Sequence, residues 1–488
     1  MIKLNRASGV LAHITSLPGP NGIGDIGNEA YKFIDFLYKC NQKVWQILPL
    51  TASEKPSPYS GTSAFAGNPL LISLEKLVDN GLLVQSDIES NRPTFGDRIE
   101  HNKVFQWKPN ILNRAYNNYK QNYLGKLKNE IDTFAKKEHY WLDDYTLYMA
   151  IKAEQNNQTW SKWPQGLKQY DKKVLEQKRH EHADAIDQHR FLQYIFFQQW
   201  HQLKRYANQH EITILGGIPP DSIERHGQLW NNPIYDWTGN LRKTNFDWWT
   251  RRLKKCLKTV DVLRIDHFRG LEAYWAIPMG SDGKPKSPSK GAWIKACGDE
   301  FLTAVIKVLG NDLPLIVEDL GHLTKEVFDL RDKYGLIGMR VLHFAFGSDP
   351  NNLYLPHNYV QNCVVYTGTH DNNTSLAWFR QNATKKEKEN LIKYLQKEGD
   401  PEHNINWDLI RLVHASVANL SIVLFQDILG LAEDCQMNNP AFTPDYEENW
   451  NWRFKWKQLK QSDKDKLKLL TNIYGRYRPK ERLEESTK

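Results

Sequence analysis

The sequence predicts an α/β fold, a (β/α)8 TIM barrel with inserted, mostly helical subdomains. Eight short apolar runs bounded by Gly, Pro or Asn recur along the chain with helical patterns between them. Strands and helices in strict alternation give a parallel sheet, and eight such units close it into a barrel. Ionisable residues also collect at the carboxyl end of several runs, where barrel active sites lie. With 488 residues, 40% of them hydrophobic, the chain is long enough for a large core.

In chain order the runs are GVLAHI (9–14), KVWQILPL (43–50), ITILGG (212–217), VLRIDHF (262–268), LPLIVEDL (313–320), GMRVLHFAF (338–346), CVVYTGTHD (363–371) and SIVLFQDIL (421–429). Residues 51–210, between the second and third runs, read as an inserted subdomain with mostly helical patterns, including QHRFLQYIFFQQWHQLKRYANQ. The whole chain, 1–488, is therefore expected to be one catalytic barrel domain with that insertion.

The start, MIKLNRASGVLAHITSLPG, lacks a signal-peptide pattern, and no apolar run reaches membrane-spanning length. Five cysteines, Cys40, Cys256, Cys297, Cys363 and Cys435, have no metal-ligand spacing. A cytoplasmic, reduced protein without a zinc site is expected. The net charge of +8 comes from 65 basic and 57 acidic residues. Much of it lies in mixed-charge helical stretches such as KKEKENLIKYLQK, so no nucleic-acid partner is expected. Seventeen Trp and 22 Tyr supply ring faces suited to stacking on sugars, beyond those the core uses.

The stretch DVLRIDHFRG begins as a core strand and ends in charge. Side chains alternate along a strand, so Arg264 and Asp266 share one face while Ile265 and His267 share the other. Asp266, one of Glu318 and Asp319, and Asp371 each arrive at one rim from a different strand end. Two carboxyl groups flanking a bond are the tools of glycoside chemistry. Asp266 suits the nucleophile, since Arg264 beside it favours the ionised form and lowers its pKa. Glu318 suits the acid/base, since an apolar approach (LPLIV) and neighbouring acids favour its protonated form. A metal held by the three acids is the chemical alternative, opposed by the positive charge of Arg264, His267 and Arg269.

The chain resembles the amylomaltases, the 4-alpha-glucanotransferases or disproportionating enzymes of the alpha-amylase clan, along nearly its whole length. The motifs that carry the likeness are RASGVLAHITSLPGPNGIGDIG, WQILPL, SPYSGTSAFAGNPL, GQLWNNPIYDW, RIDHFRG, VEDLG, YTGTHDNNT and NWNWR, in family order. The resemblance implies Asp266 as nucleophile, Glu318 as acid/base and Asp371 as the third acid, which stabilises the transition state. It implies that Arg264, His267 and His370 hold the nucleophile and the sugar hydroxyls, and that Asp319 and Asn438 are further substrate contacts. Ser57 and Tyr59 in SPYSG, and Gln228 with Trp230 in GQLW, match donor-side and acceptor-side glucan contacts. Asp221 matches a residue of a loop over the cleft.

The implied activity is double-displacement transfer of an alpha-1,4-glucan segment between maltooligosaccharides, with no cofactor. An alpha-glucan hydrolase, or a glucan-binding homologue weakened in catalysis, stand as alternatives. The chain departs from the family pattern at two places. ITILGGIPPD passes straight from the third run to Pro-Pro-Asp, so a block is missing and Gly217 stands where an acid is expected. QMNNPAF carries Gln and Ala where the family usually has Arg and Gly.

Overall fold

The computed structural model describes residues 5–122, 125–218, 235–280, 286–321, 323–442 and 448–477. Its strands are β1 (Ala7–Leu11), β2 (Val44–Gln46), β3 (Thr213–Ile218), β4 (Val262–Ile265), β5 (Ala273–Ala276), β6 (Ala292–Lys295), β7 (Leu315–Val317), β8 (Gly338–Val341), β9 (Cys363–Tyr366) and β10 (Leu420–Leu424). Eight of them form one sheet in the order β7-β4-β3-β2-β1-β10-β9-β8, with each neighbouring pair parallel. The two ends of that order meet. Ile316 of β7 bridges Ile337, and the Val317 N–H donates to the Ile337 carbonyl at 2.8 Å, which closes the (β/α)8 barrel.

Each of the eight apolar runs contains one barrel strand, but several runs extend past the ladder. Pairing in 262–268 stops at Ile265, the run 338–346 bends into a 3-10 turn at Leu342–Phe344, and 421–429 turns helical at Phe425–Ile428. Apolar character reports burial, and the covering loops bury the residues just beyond a strand as fully as those within it.

Alternation along the strands sorts side chains into two cores. Leu11, Leu215, Ile316, Val364 and Ile422 share a cluster that contains no helical residue, the interior of the barrel. Their neighbours Val10, Ile214, Val317, Val365 and Val423 pack outward with the helices. The helix Asn28–Lys39 buries Phe33, Ile34, Phe36 and Leu37, an amphipathic stripe of the usual spacing.

Between β2 and β3 lie the long helices His101–Asn122, Lys126–Glu154 and Ala183–Gln209. The last returns to the barrel: the Trp200 indole N–H donates to the Thr259 carbonyl at 2.8 Å. On the same helix the Gln193 amide both donates to and accepts from the Gly67 backbone, at 2.8 Å each way, as a neighbouring strand would. The antiparallel hairpin β5–β6 is absent from the sequence reading. Its segments AYWA and AWIK are too short to carry a period, and it is held by Trp275 against Trp293 (5.4 Å between centroids) with the Arg269 guanidinium 4.1 Å from the Trp293 ring.

Candidate active site

At the end of β4, Arg264 has the same strand parity as Val262, which packs on the inner cluster, so its guanidinium points into the barrel. Its register partner on β3 is Gly217, which has no side chain to compete for the space. Nη2 of Arg264 lies 2.7 Å from Asp266 Oδ1, and Nε donates to the Met339 sulfur at 3.3 Å. The predicted pairing of Arg264 with Asp266 is therefore present. His267 does not belong to the strand: it turns the chain with a left-handed φ of 47°.

The acidity expected for Asp266 needs correction. Burial raises its pKa; Arg264 lowers it, Glu318 raises it, His370 lowers it and Asp371 raises it, and the net direction is upward. Arg264 acts in the expected sense, but the cost of removing a carboxylate from water is larger than the attraction of the single cation.

Glu318 follows β7 with the parity of inward Ile316, and Asp319 has the parity of outward Val317. The Glu318 carboxylate accepts the N–H of His267 at 2.7 Å and that of Leu320 at 3.1 Å. The turn at His267 thus fixes Glu318 beside the end of β4. Asp319 lies elsewhere than expected. Its carboxylate is fully buried behind the barrel, 2.5 Å from Arg331 Nη1 and 3.4 Å from Arg340 Nη1, and it accepts the Met339 N–H at 2.6 Å. It ties β7 to β8 and is closed off from a sugar.

Asp371 is the most open of the acids, its side chain 42% exposed. Asn438 Nδ2 donates to its Oδ1 at 2.7 Å, and His370 Nε2 lies 3.3 Å from the same oxygen. Gln436 Nε2 bridges the Asp371 carbonyl (3.0 Å) and the Asn438 carbonyl (2.8 Å), so this departure from the family pattern still secures the loop. Asn438, expected against sugar, spends its amide N–H on Asp371. His370 is buried, which lowers its pKa; Asp371 and Asp266 oppose that shift while Arg264 adds to it.

Tyr59 closes the group. Its ring stacks on His370 (5.2 Å, 11°) and leans on Trp450 (5.8 Å). Its hydroxyl pKa is pushed well up by burial and then by Asp266, with smaller contributions from Asp371 and Glu318. Ser57 shapes this loop: its Oγ accepts the Tyr59 N–H at 3.2 Å. A Cβ built on Gly217 would meet Pro49 at 3.4 Å and the Tyr59 hydroxyl at 4.0 Å, so the position of the missing acid borders the same group. Asp221, Gln228 and Trp230 lie outside the described residues. Trp450 and Gln436 were missed as site residues, although both fall in stretches that had drawn notice, NWNWR and QMNNPAF.

Three acids and two imidazole-bearing neighbours around one guanidinium, at the carboxyl ends of a closed parallel barrel, define a (β/α)8-barrel enzyme that works with carboxylates. The sequence profile of 4-alpha-glucanotransferase matches residues 12–218 and, in a second segment, 215–460. The 4-alpha-glucanotransferase of Clostridium butyricum is 42% identical over 502 residues, covering 95% of this chain and 99% of that one. That of Synechocystis sp. is 40% identical over 509 residues, covering 96% and 98%. Among solved structures, an amylomaltase from Streptococcus agalactiae in complex with acarbose superposes with a TM-score of 0.89 at 33% identity, covering 97% of this chain and all of that one. The chain belongs to the 4-alpha-glucanotransferase family. The profile match breaks at 215–218, where β3 ends and the missing block would begin.

Proposed function

We propose that this chain cuts an alpha-1,4 bond in a maltooligosaccharide and passes the glucan to the 4-hydroxyl of a second sugar, by double displacement. Asp266 attacks the anomeric carbon while Glu318 gives its proton to the departing glycosidic oxygen, which leaves a covalent glycosyl ester and a released sugar. Glu318, now ionised, takes the proton of the incoming 4-hydroxyl as that oxygen attacks the same carbon, and the Asp266 carboxylate is freed. Asp371, steadied by Asn438 and His370, offsets positive charge that develops on the sugar ring.

The observation that carries this reading is the Arg264–Asp266 pair at 2.7 Å, with Glu318 locked to the His267 N–H at the same strand end. Arg264 orients Asp266 without neutralising it, and the backbone donor orients Glu318. Acarbose bound to the similar amylomaltase supports an alpha-glucan oligosaccharide as ligand. Work in a reducing compartment, the cytoplasm, is supported by five free cysteines, and among the described residues no helix is long and apolar enough to cross a membrane.

Incubation with maltotriose alone tests the reading. Transfer gives glucose together with products longer than maltotriose, and reducing ends stay constant. A steady rise in reducing ends with only shorter products identifies a hydrolase instead.

A further inference from the structure

The helices Lys126–Glu154 and Ala183–Gln209 pack through Trp141 on Phe197 and Tyr145 on His189, with centroids 6.1 and 6.4 Å apart. Toward the start of the first helix and the end of the second they border a cleft of about 790 Å³. Each presents one face to it, with Asn129, Phe134 and Lys137 on one helix and Tyr194, Gln198 and Arg205 on the other. These stripes combine rings, amides and cations.

The charges in the cleft do not cancel. Glu138 is taken up by Lys255, 2.8 Å away and equally buried, and by the Trp141 indole N–H at 2.6 Å. Glu130 accepts the Tyr194 hydroxyl at 2.6 Å and lies 4.0 Å from Lys126. Lys137 and Arg205 have no acidic partner among the described residues. His201 lies on the same wall, and its pKa is lowered first by desolvation and then by Lys255, Lys204 and Arg205, opposed by Glu138.

We propose that this cleft, on the helices outside the barrel and apart from the acids at the strand ends, is a second ligand site for a hexose phosphate. A space of this size holds a small molecule. Phe134 and Tyr194, packed edge to face at 5.9 Å, offer ring surface to a hexose, while Asn129 offers its amide and Gln198, which donates to the Tyr194 hydroxyl at 3.1 Å, offers its carbonyl oxygen. Lys137 and Arg205 supply charge-assisted donors for the phosphate, Arg205 in a two-pronged geometry. A neutral glucan would leave both cations without a counter-charge.

The test is calorimetric titration of the full chain with glucose 6-phosphate, glucose and inorganic phosphate in turn. Glucose 6-phosphate should bind more tightly than either fragment, and Lys137→Ala with Arg205→Ala should weaken it by roughly tenfold or more. Both side chains are exposed and lie outside the catalytic group, so transfer from maltotriose stays at its original rate in the double variant. Glucose 6-phosphate binding that is unchanged in the double variant, or absent up to about 10 mM, overturns the site. Inorganic phosphate binding as tightly as glucose 6-phosphate overturns the sugar assignment.

Discussion

At Asp266 burial and neighbouring charges pull the acidity in opposite directions. Its counter-ion was legible from a spacing of two along a strand, whereas its net acidity depends on how much water the whole rim excludes. Asp266 must be ionised to attack, and its pKa lies above the usual 3.8, so activity should be lost as pH falls at a higher pH than for an ordinary aspartate. Asp371 is among the groups that raise it. In Asp371→Asn the acidic limb of the kcat/KM profile should move to lower pH, separately from the loss of rate. Profiles of the two proteins with maltotriose decide the matter: coincident limbs would take Asp371 out of the electrostatics of the nucleophile.

At the scale of elements, the seam between first and last strands rests on a residue that composition hides. Arg476 is fully buried and donates to the carbonyls of Val413, His414 and Ser416 at the end of the helix Ile405–Ala415. It also donates to Ala418 and Asn419 before β10 and to Ala7 of β1. With Arg6, which also donates to the His414, Ser416 and Ala418 carbonyls, it satisfies the orphan carbonyls of a helix end and links that end to both strands. Arg476→Ala should cost about 3 kcal/mol or more, since it removes a fully buried side chain together with several charge-assisted hydrogen bonds. Arg476→Lys should recover less than half of that, because one ammonium cannot span the same fan of oxygens. Denaturant unfolding of the three proteins gives the comparison, and a fully restored midpoint in Arg476→Lys would show that charge alone is needed.

For the whole molecule, buried imidazoles dominate the acid response. Among the described residues, burial as the leading cause takes His13, His343 and His414 from 6.5 to about 3, and His101 and His189 to about 4. Depressed histidines leave stability intact above about 6.5 and remove it progressively below, as the unfolded chain takes up protons that the folded one refuses. Asp25 and Asp427 act in the opposite sense. Raised by burial from 3.8 to about 6, each stabilises below 3.8 and loses that contribution as pH rises through 6. Five groups outweigh two, so the melting temperature should fall between pH 7 and pH 5, with about 1.4 kcal/mol lost per pH unit for each proton taken up. Scanning calorimetry over that range checks the slope, and a flat profile would contradict the burial of these rings.

The sequence by itself determined the barrel, because eight apolar runs with polar carboxyl ends are local patterns that any folded state must respect. It also determined which acids reach the rim, since strand parity follows from counting residues along a single segment. It narrowed Glu318 and Asp319 to one inward acid, and the ring of neighbouring strands selected Glu318 by making Ile316 interior and Val317 exterior. Only the tertiary structure placed Asn438 and Gln436 on Asp371, stacked Tyr59 on His370 with Trp450 leaning on both, and sent Asp319 to Arg331. Each of those contacts joins residues from different elements, and Asn438 stands 67 residues from Asp371. A periodic pattern carries no information about which distant loop will fill the space above a strand end. The acidity of Asp266 was left to the tertiary structure for the same reason: desolvation depends on every element that covers the site, and no one segment encodes it.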